Sequence, residues 1–211
     1  MKQTILHGLA SLAIVCVVTL LLVLGLRIGS STAENAATAP SLTTHTDESR
    51  SIALFLDAAR VIESPRCMNC HPATRSPTQG QDMHPHVPPL QAGMDGHGVA
   101  GLACSTCHQR ANVATFGAAI ASIPGHPHWA LAPASMSWQG KTPAEICKQL
   151  KNPALNGGRT LAEIQEHVAK DSLVGWAWHP GAGRAPAPGT QEEFGKLIGD
   201  WIATGAACPE G

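Results

Sequence analysis

The chain has 211 residues, enough for one ordinary domain or one small domain with accessory segments, and too few for two full domains. Its 14 Lys and Arg against 15 Asp and Glu leave a formal net charge of −1 with no basic patch, which excludes nucleic acid as a partner. With 21 Gly and 16 Pro but three Phe, five Trp and no Tyr, the side chains supply only a thin aromatic core, so something else is expected to help fill the centre.

Residues 1–33 begin with MKQTILHG and then run from Leu9 to Leu26 with nothing more polar than Ser11 and Thr19. An apolar run of this length is an export signal, at the boundary between a signal-peptide core of roughly 7–15 residues and a membrane span of roughly 18 or more. Ser31-Thr32-Ala33 offers a small-x-small cleavage site near Ala33, while the length of the run favours retention of residues 9–26 as an inner-membrane anchor. Cys16 lacks a lipobox-like context. Either fate places the remainder in the periplasm. There, residues 34–211 hold 12 Lys and Arg against 15 Asp and Glu, a formal charge of −3.

Residues 34–50, ENAATAPSLTTHTDESR, are small, polar and without period, and read as a flexible linker. From Ser51 to Ser64, Ile52, Phe55, Leu56, Ala59 and Ile62 recur at helical spacing until Pro65. Residues 72–101 and 123–140 are too rich in Pro and Gly for a periodic element and read as long loops. A short helix is expected between them, over Ala111–Ser122. Further on, Thr142-Pro-Ala-Glu145, Thr160-Leu-Ala-Glu163 and Thr190-Gln-Glu-Glu193 are three capping boxes, each starting a helix. The third helix aligns Phe194, Leu197, Ile198, Trp201 and Ile202 before Gly205 closes it. The fold class predicted is mainly α: a small cytochrome c-like domain over 51–211, with four or five short helices, long loops and no strand.

The loops need a partner to pack against, because such lengths are unusual inside a compact domain. Two identical patterns name one. Cys67-Met-Asn-Cys70-His71 and Cys104-Ser-Thr-Cys107-His108 are both C-x-x-C-H, the attachment signature of c-type haem. Two thiols three residues apart on one turn can add to the two vinyl groups along one porphyrin edge, and the following His then lies under the iron. Chance composition gives about 0.01 occurrences of one copy in the chain, so two copies are no accident. Structural zinc is the competitor, but the 33 residues between Cys70 and Cys104 exceed the usual spacing of about 15–20. Zinc also leaves the two adjacent histidines unexplained. Two covalently bound haems would complete the core.

The strings DMHPHVP, DGHGVAGLACSTCHQ, IPGHPHWALAP, MSWQGKTPAEIC and DSLVGWAWHPGAGRAPAPGTQ resemble small periplasmic dihaem cytochromes known as isoquinoline 1-oxidoreductase subunits, over roughly residues 50–209. The resemblance implies an electron acceptor for a molybdenum hydroxylase-type dehydrogenase.

A c-type iron usually takes a sixth ligand, Met giving a higher potential than a second His. His84 and His86 flank Pro85, which favours extended backbone, so one of the two is expected to face an iron, with His86 preferred. His97 lies seven residues before Cys104, and Met136 occupies a Pro-containing loop after the second motif. These four are the candidate distal ligands; His167 and His179 rank below them. Trp176 and Trp178 read as core residues, with a haem edge as the other reading. Cys147 and Cys208 remain in the exported part and are expected to form a disulfide in an oxidising compartment.

The expected function is electron transfer between redox partner proteins, a dehydrogenase donor and a cytochrome or oxidase acceptor, without a catalytic site of its own. The alternatives are a haem enzyme with an open iron, such as a peroxidase or small-ligand reductase, and a haem-based gas sensor.

Overall fold

A computed structural model describes residues 42–116 and 120–211, with side chains in the first helix from residue 46 onward. The leader and residues 34–41 of the expected linker lie outside these residues, while residues 42–50, expected to be flexible, are helical. None of the described helices is long and apolar enough to cross a membrane.

Among the described residues, six α-helices are formed: α1 Leu42–Ile62, α2 Pro65–Met68, α3 Pro143–Leu150, α4 Leu161–Lys170, α5 Ser172–Gly175 and α6 Gln191–Ala203. Helix α1 begins nine residues ahead of the expected Ser51, because the polar stretch before it carries no helix breaker. The predicted mainly α class without strands is corrected by three antiparallel hairpins of two-residue strands. These pair β1 Thr78–Gln79 with β2 His84–Pro85, β3 Gly98–Val99 with β4 Leu102–Ala103, and β5 Val113–Ala114 with β6 Ser122–Ile123. The chain is therefore mixed, with its strands confined to the long loops.

Glycine accounts for two of these reversals. Gly80 (φ 81°) starts the turn between β1 and β2, and Gly101 (φ 82°) completes the two-residue turn that sets Val99 opposite Leu102. A side chain would resist both conformations. The helix expected over Ala111–Ser122 is replaced by the β5–β6 hairpin, in which Thr115 N–H donates to the Ala121 carbonyl at 3.1 Å. Its Val113 and Thr115 are β-branched and suit a strand better than a helix.

All three capping boxes form, with Thr142, Thr160 and Thr190 hydroxyls accepting from the amides of Glu145, Glu163 and Glu193, whose carboxylates accept from the threonine amides. The helices bury one continuous core. Helix α1 contributes Phe55, Ala58, Ala59 and Ile62, α3 Ile146 and Leu150, α4 Ile164, and α6 Phe194, Ile198 and Trp201. Leu56, expected on the apolar face of α1, is exposed, whereas Ala58 and Val61 are buried in the core. Phe55 and Trp201 meet at 5.1 Å between ring centroids and are both fully buried. Each contributes about 1.5–3 kcal/mol through apolar burial.

Helix α6 packs between α1 and α4. Gly195 lets α4 approach so closely that an added Cβ would lie 2.5 Å from Ala169 Cβ. Cys147 of α3 and Cys208 form a disulfide with Cα atoms 5.6 Å apart. Buried Ser51 donates to the Trp201 carbonyl and accepts from Ala207 N–H, tying α1 to the turn after α6.

Candidate functional site

The first C-x-x-C-H motif is built onto the end of the core. Ser64 caps α2 by accepting from Arg66 N–H, and Pro65 occupies a first-turn position where its missing amide proton costs nothing. Cys67 lies in α2 and Cys70 just beyond it; both are free thiols. Burial pushes the Cys67 thiol up to about 12 and the Cys70 thiol up to about 11, so both are protonated at neutral pH.

His71 is held on three sides. Its Nδ1 lies 2.6 Å from the Met136 carbonyl, which can only accept, so Nδ1 carries the proton and Nε2 keeps a free lone pair. Its ring stacks on the Trp138 indole at 3.5 Å with 3° between planes. Its carbonyl accepts from Trp138 and Gln139 N–H. Burial lowers the His71 pKa to about 4, keeping the imidazole neutral and Nε2 available as a metal ligand.

The second motif repeats the arrangement on different scaffolding. Cys104–Thr106 form one 3-10 turn between two hairpins, with His108 N–H donating to the Cys104 carbonyl at 2.9 Å. His108 Nδ1 donates to the Pro124 carbonyl at 2.8 Å, again leaving Nε2 free. Its ring stacks on Trp129 at 4.6 Å and 12°, and Trp129 meets Trp176 edge-on at 4.9 Å. Burial lowers the His108 pKa, against the Pro124 bond that raises it, and His86 and Arg184 lower it further.

Of the candidate distal ligands, His86 is the one whose ring meets that of a motif histidine. Its ring centroid is 5.9 Å from that of His108, tilted by 55°. Its Nδ1 donates to the Pro88 carbonyl at 2.8 Å, so its Nε2 is also free. A cavity of about 400 Å³ lies beside it, lined by Pro77, Pro85, His86, Leu90, Val99 and Leu102. His84 has both ring nitrogens engaged, Nδ1 with Asp82 at 2.6 Å and Nε2 with Gln79 at 3.1 Å. His97 is exposed and contributes its backbone, its carbonyl accepting from Cys104 N–H. Met136 supplies its carbonyl to the Nδ1 side of His71, which is the side away from the coordinating nitrogen.

Sequence reasoning did not single out Trp129 and Trp138 as stacking partners, nor the Pro124 and Met136 carbonyls as acceptors for the motif histidines. Of the paired tryptophans, Trp176 belongs to the surroundings of His108, while Trp178 packs on Phe194 at 6.0 Å. His167 pairs with Asp171 through Nδ1 at 3.2 Å, and His126 Nε2 bonds Ser172 Oγ at 3.0 Å.

Among the described residues, no group of three or more His, Cys, Asp or Glu is placed to hold a metal ion. The two cysteine pairs therefore do not converge on a tetrahedral thiolate site of the kind structural zinc requires. A c-type haem makes other demands: two free thiols and a free imidazole nitrogen in each motif, with apolar surface for the ring. Of ten exposed large apolar side chains among the described residues, eight lie between residues 83 and 120: Met83, Val87, Met94, Val99, Leu102, Val113, Phe116 and Ile120. Such concentration on loops suits an apolar disc laid against them. The residues present fit the group.

Comparison with protein-family models, curated proteins and solved structures finds no match to this chain.

Proposed function

We propose that the chain is an exported dihaem c-type cytochrome that relays electrons, with Cys67, Cys70 and His71 holding one haem and Cys104, Cys107 and His108 the other. The observation that carries this reading is the matched setting of the two motif histidines. Each spends its Nδ1 proton on a backbone carbonyl and presents a bare Nε2 beside two uncrosslinked thiols. Second-neighbour bonds of this kind orient metal-binding imidazoles and fix their tautomer.

When bound, haem supplies reversible one-electron chemistry at iron. The chain's own residues would then do two things. Met136 and Pro124 carbonyls, with Trp138 and Trp129, orient the proximal imidazoles. His86 offers the second imidazole opposite His108, which favours a lower potential there than methionine would give.

The donor proposed is a dehydrogenase of the molybdenum hydroxylase type and the acceptor a cytochrome or oxidase, with residues 9–26 joining the chain to the inner membrane or leaving on cleavage. The role is that of a carrier or electron-transfer subunit, not an enzyme in its own right.

The test is export in a host with c-type haem maturation. The purified protein should weigh two haems more than its amino acids and give a c-type pyridine haemochrome spectrum; a colourless product of bare polypeptide mass refutes the proposal. Carbon monoxide should leave the spectrum of the haem at CSTCH unchanged in the intact protein. In His86→Ala it should bind there, with a shift of the Soret band. Binding to that haem in the intact protein would instead favour the open-iron reading.

A further inference from the structure

The two motif histidines stack on indoles that lead to different places. Trp138, against His71, is 7% exposed and belongs to the main core, and among the described residues no further ring continues from it. Trp129, against His108, is half-buried and meets a second half-buried indole, Trp176, edge-on at 4.9 Å. Neither Trp129 nor Trp176 belongs to the cluster that the helices bury, so packing of that core does not account for their contact.

The pair is fixed by polar bonds on both sides. Asn112 Oδ1 accepts from Trp176 Nε1 at 2.8 Å and from Gly125 N–H at 2.9 Å, while its Nδ2 donates to the His179 carbonyl at 2.9 Å. Gly125 follows Pro124, whose carbonyl holds His108. Farther along the same segment, His126 Nε2 bonds Ser172 Oγ at 3.0 Å, and the His126 carbonyl accepts from Trp129 N–H at 3.1 Å. Trp176 N–H in turn donates to the Ser172 carbonyl. A network in which each member is satisfied rigidifies what it holds, and here it holds the Trp129 segment against α5. The rings follow one another outward from His108, and the outer end reaches solvent, where Ser172 and His128 are exposed.

We propose that Trp129 and Trp176 form an electron route between the surface at α5 and the iron held by His108. This rests on the dihaem reading and adds a place of entry to it. One electron leaves a reduced one-electron donor at the surface and is taken up by a ferric iron; the indoles bridge the gap without being oxidised or reduced, and no proton moves. The protein's part in such chemistry is placement, and two rings at ordinary aromatic contact distances replace a gap that would otherwise be crossed through solvent. The indole at His71 ends in the core, so the route is particular to CSTCH.

The experiment uses the full exported chain with both haems, in a Cys16→Ser/Ser172→Cys background whose one free thiol carries a thiol-reactive ruthenium tris-bipyridine. A laser flash releases one electron a helical turn from Trp176, and two quantities are read: the rate at which the haem at CSTCH is reduced, and its midpoint potential. Trp176→Leu should slow the transfer severalfold at unchanged potential, and Trp176→Phe, which keeps a ring, should retain most of the rate. An unchanged rate in Trp176→Leu would overturn the route. Equal slowing in both variants would overturn it too, because a side chain that only supports the pocket behaves in that way. In a further Cys67→Ala/Cys70→Ala background, which keeps only the haem at CSTCH, the rate should persist; its disappearance would assign entry to the haem at CMNCH and refute the proposal. If Trp176→Leu does not accumulate, Trp129→Leu reads the same route, slower transfer at matched driving force supporting it and unchanged transfer overturning it. Absence of covalent haem from the unmutated chain would instead remove the dihaem reading beneath the route.

Discussion

The two C-x-x-C-H motifs share one sequence pattern on opposite kinds of support. CMNCH closes a helical turn that grows out of α1, and its histidine is clamped between an indole and a backbone carbonyl next to the main core. CSTCH sits on a single 3-10 turn between two-residue hairpins, in a stretch that leaves eight large apolar side chains exposed. One motif is placed by protein packing, and the other is placed in surroundings that protein packing leaves unfinished. A short hairpin is marginal in water without a third layer to cover it. A haem bound as proposed would therefore matter far more to the order of the second region than to that of the first.

Preventing attachment gives the largest expected effect. With Cys67, Cys70, Cys104 and Cys107 all changed to Ala, backbone amides in residues 78–114 should lose nearly all protection from hydrogen exchange, while α1, α4 and α6 keep theirs. Equal loss in both regions would show that the helical body also depends on the haems. Between single-motif variants, loss of CSTCH should unfold mainly its own hairpins.

The converse is to damage the body. Trp201→Ala removes a fully buried indole that packs on Phe55 and donates through Nε1 to the Ala207 carbonyl at 2.9 Å. The expected loss is about 3–5 kcal/mol in denaturant unfolding. The environment of Trp129 should change only at that global transition. A separate, earlier change in the Trp129 environment in the unmutated protein would divide the molecule into two independent units.

Reducing the disulfide should be felt in the body as well, because it joins α3 to the segment after α6 across 61 residues. The chain-entropy estimate is about 4 kcal/mol as an upper value. Cys147→Ser/Cys208→Ser should lower the unfolding midpoint without altering the haem spectra; a spectral change would mean that the bridge also shapes a haem pocket.

This division also marks what the sequence makes legible. Helix starts at Thr142, Thr160 and Thr190 are written as local chemistry within four residues, and all three form. Phe194, Ile198 and Trp201 are readable as a face because α6 spans enough turns to show a period. The hairpins are not legible, since two-residue strands show no alternation and Gly80 and Gly101 read only as breakers. The cysteines and histidines of the site stand out by spacing. Their partners do not, because Met136 and Pro124 act through carbonyls that any residue carries, and His86 meets His108 across 22 residues of loop. Local rules describe the body, while the surroundings of the two motifs depend on contacts that no short pattern encodes.

The smallest effect separates these two regimes most cleanly. Thr160→Ala removes the hydroxyl that accepts from Glu163 N–H at 3.3 Å, in a box confined to the first turn of α4. The expected loss is about 1 kcal/mol. In the intact box, the Thr160 amide and hydroxyl donate to the Glu163 carboxylate and hold its pKa below the ordinary value. A depressed carboxylate contributes stability above its unfolded pKa, and that contribution fades as pH falls through the folded value. Thr160→Ala should therefore be less stable than the parent at neutral pH, with the gap narrowing on acidification below the ordinary glutamate range. Paired chemical-denaturation curves across that interval provide the measurement. A gap that stays constant would mean that the threonine stabilises α4 through its own hydroxyl-to-amide contact alone, with the Glu163 carboxylate playing no part.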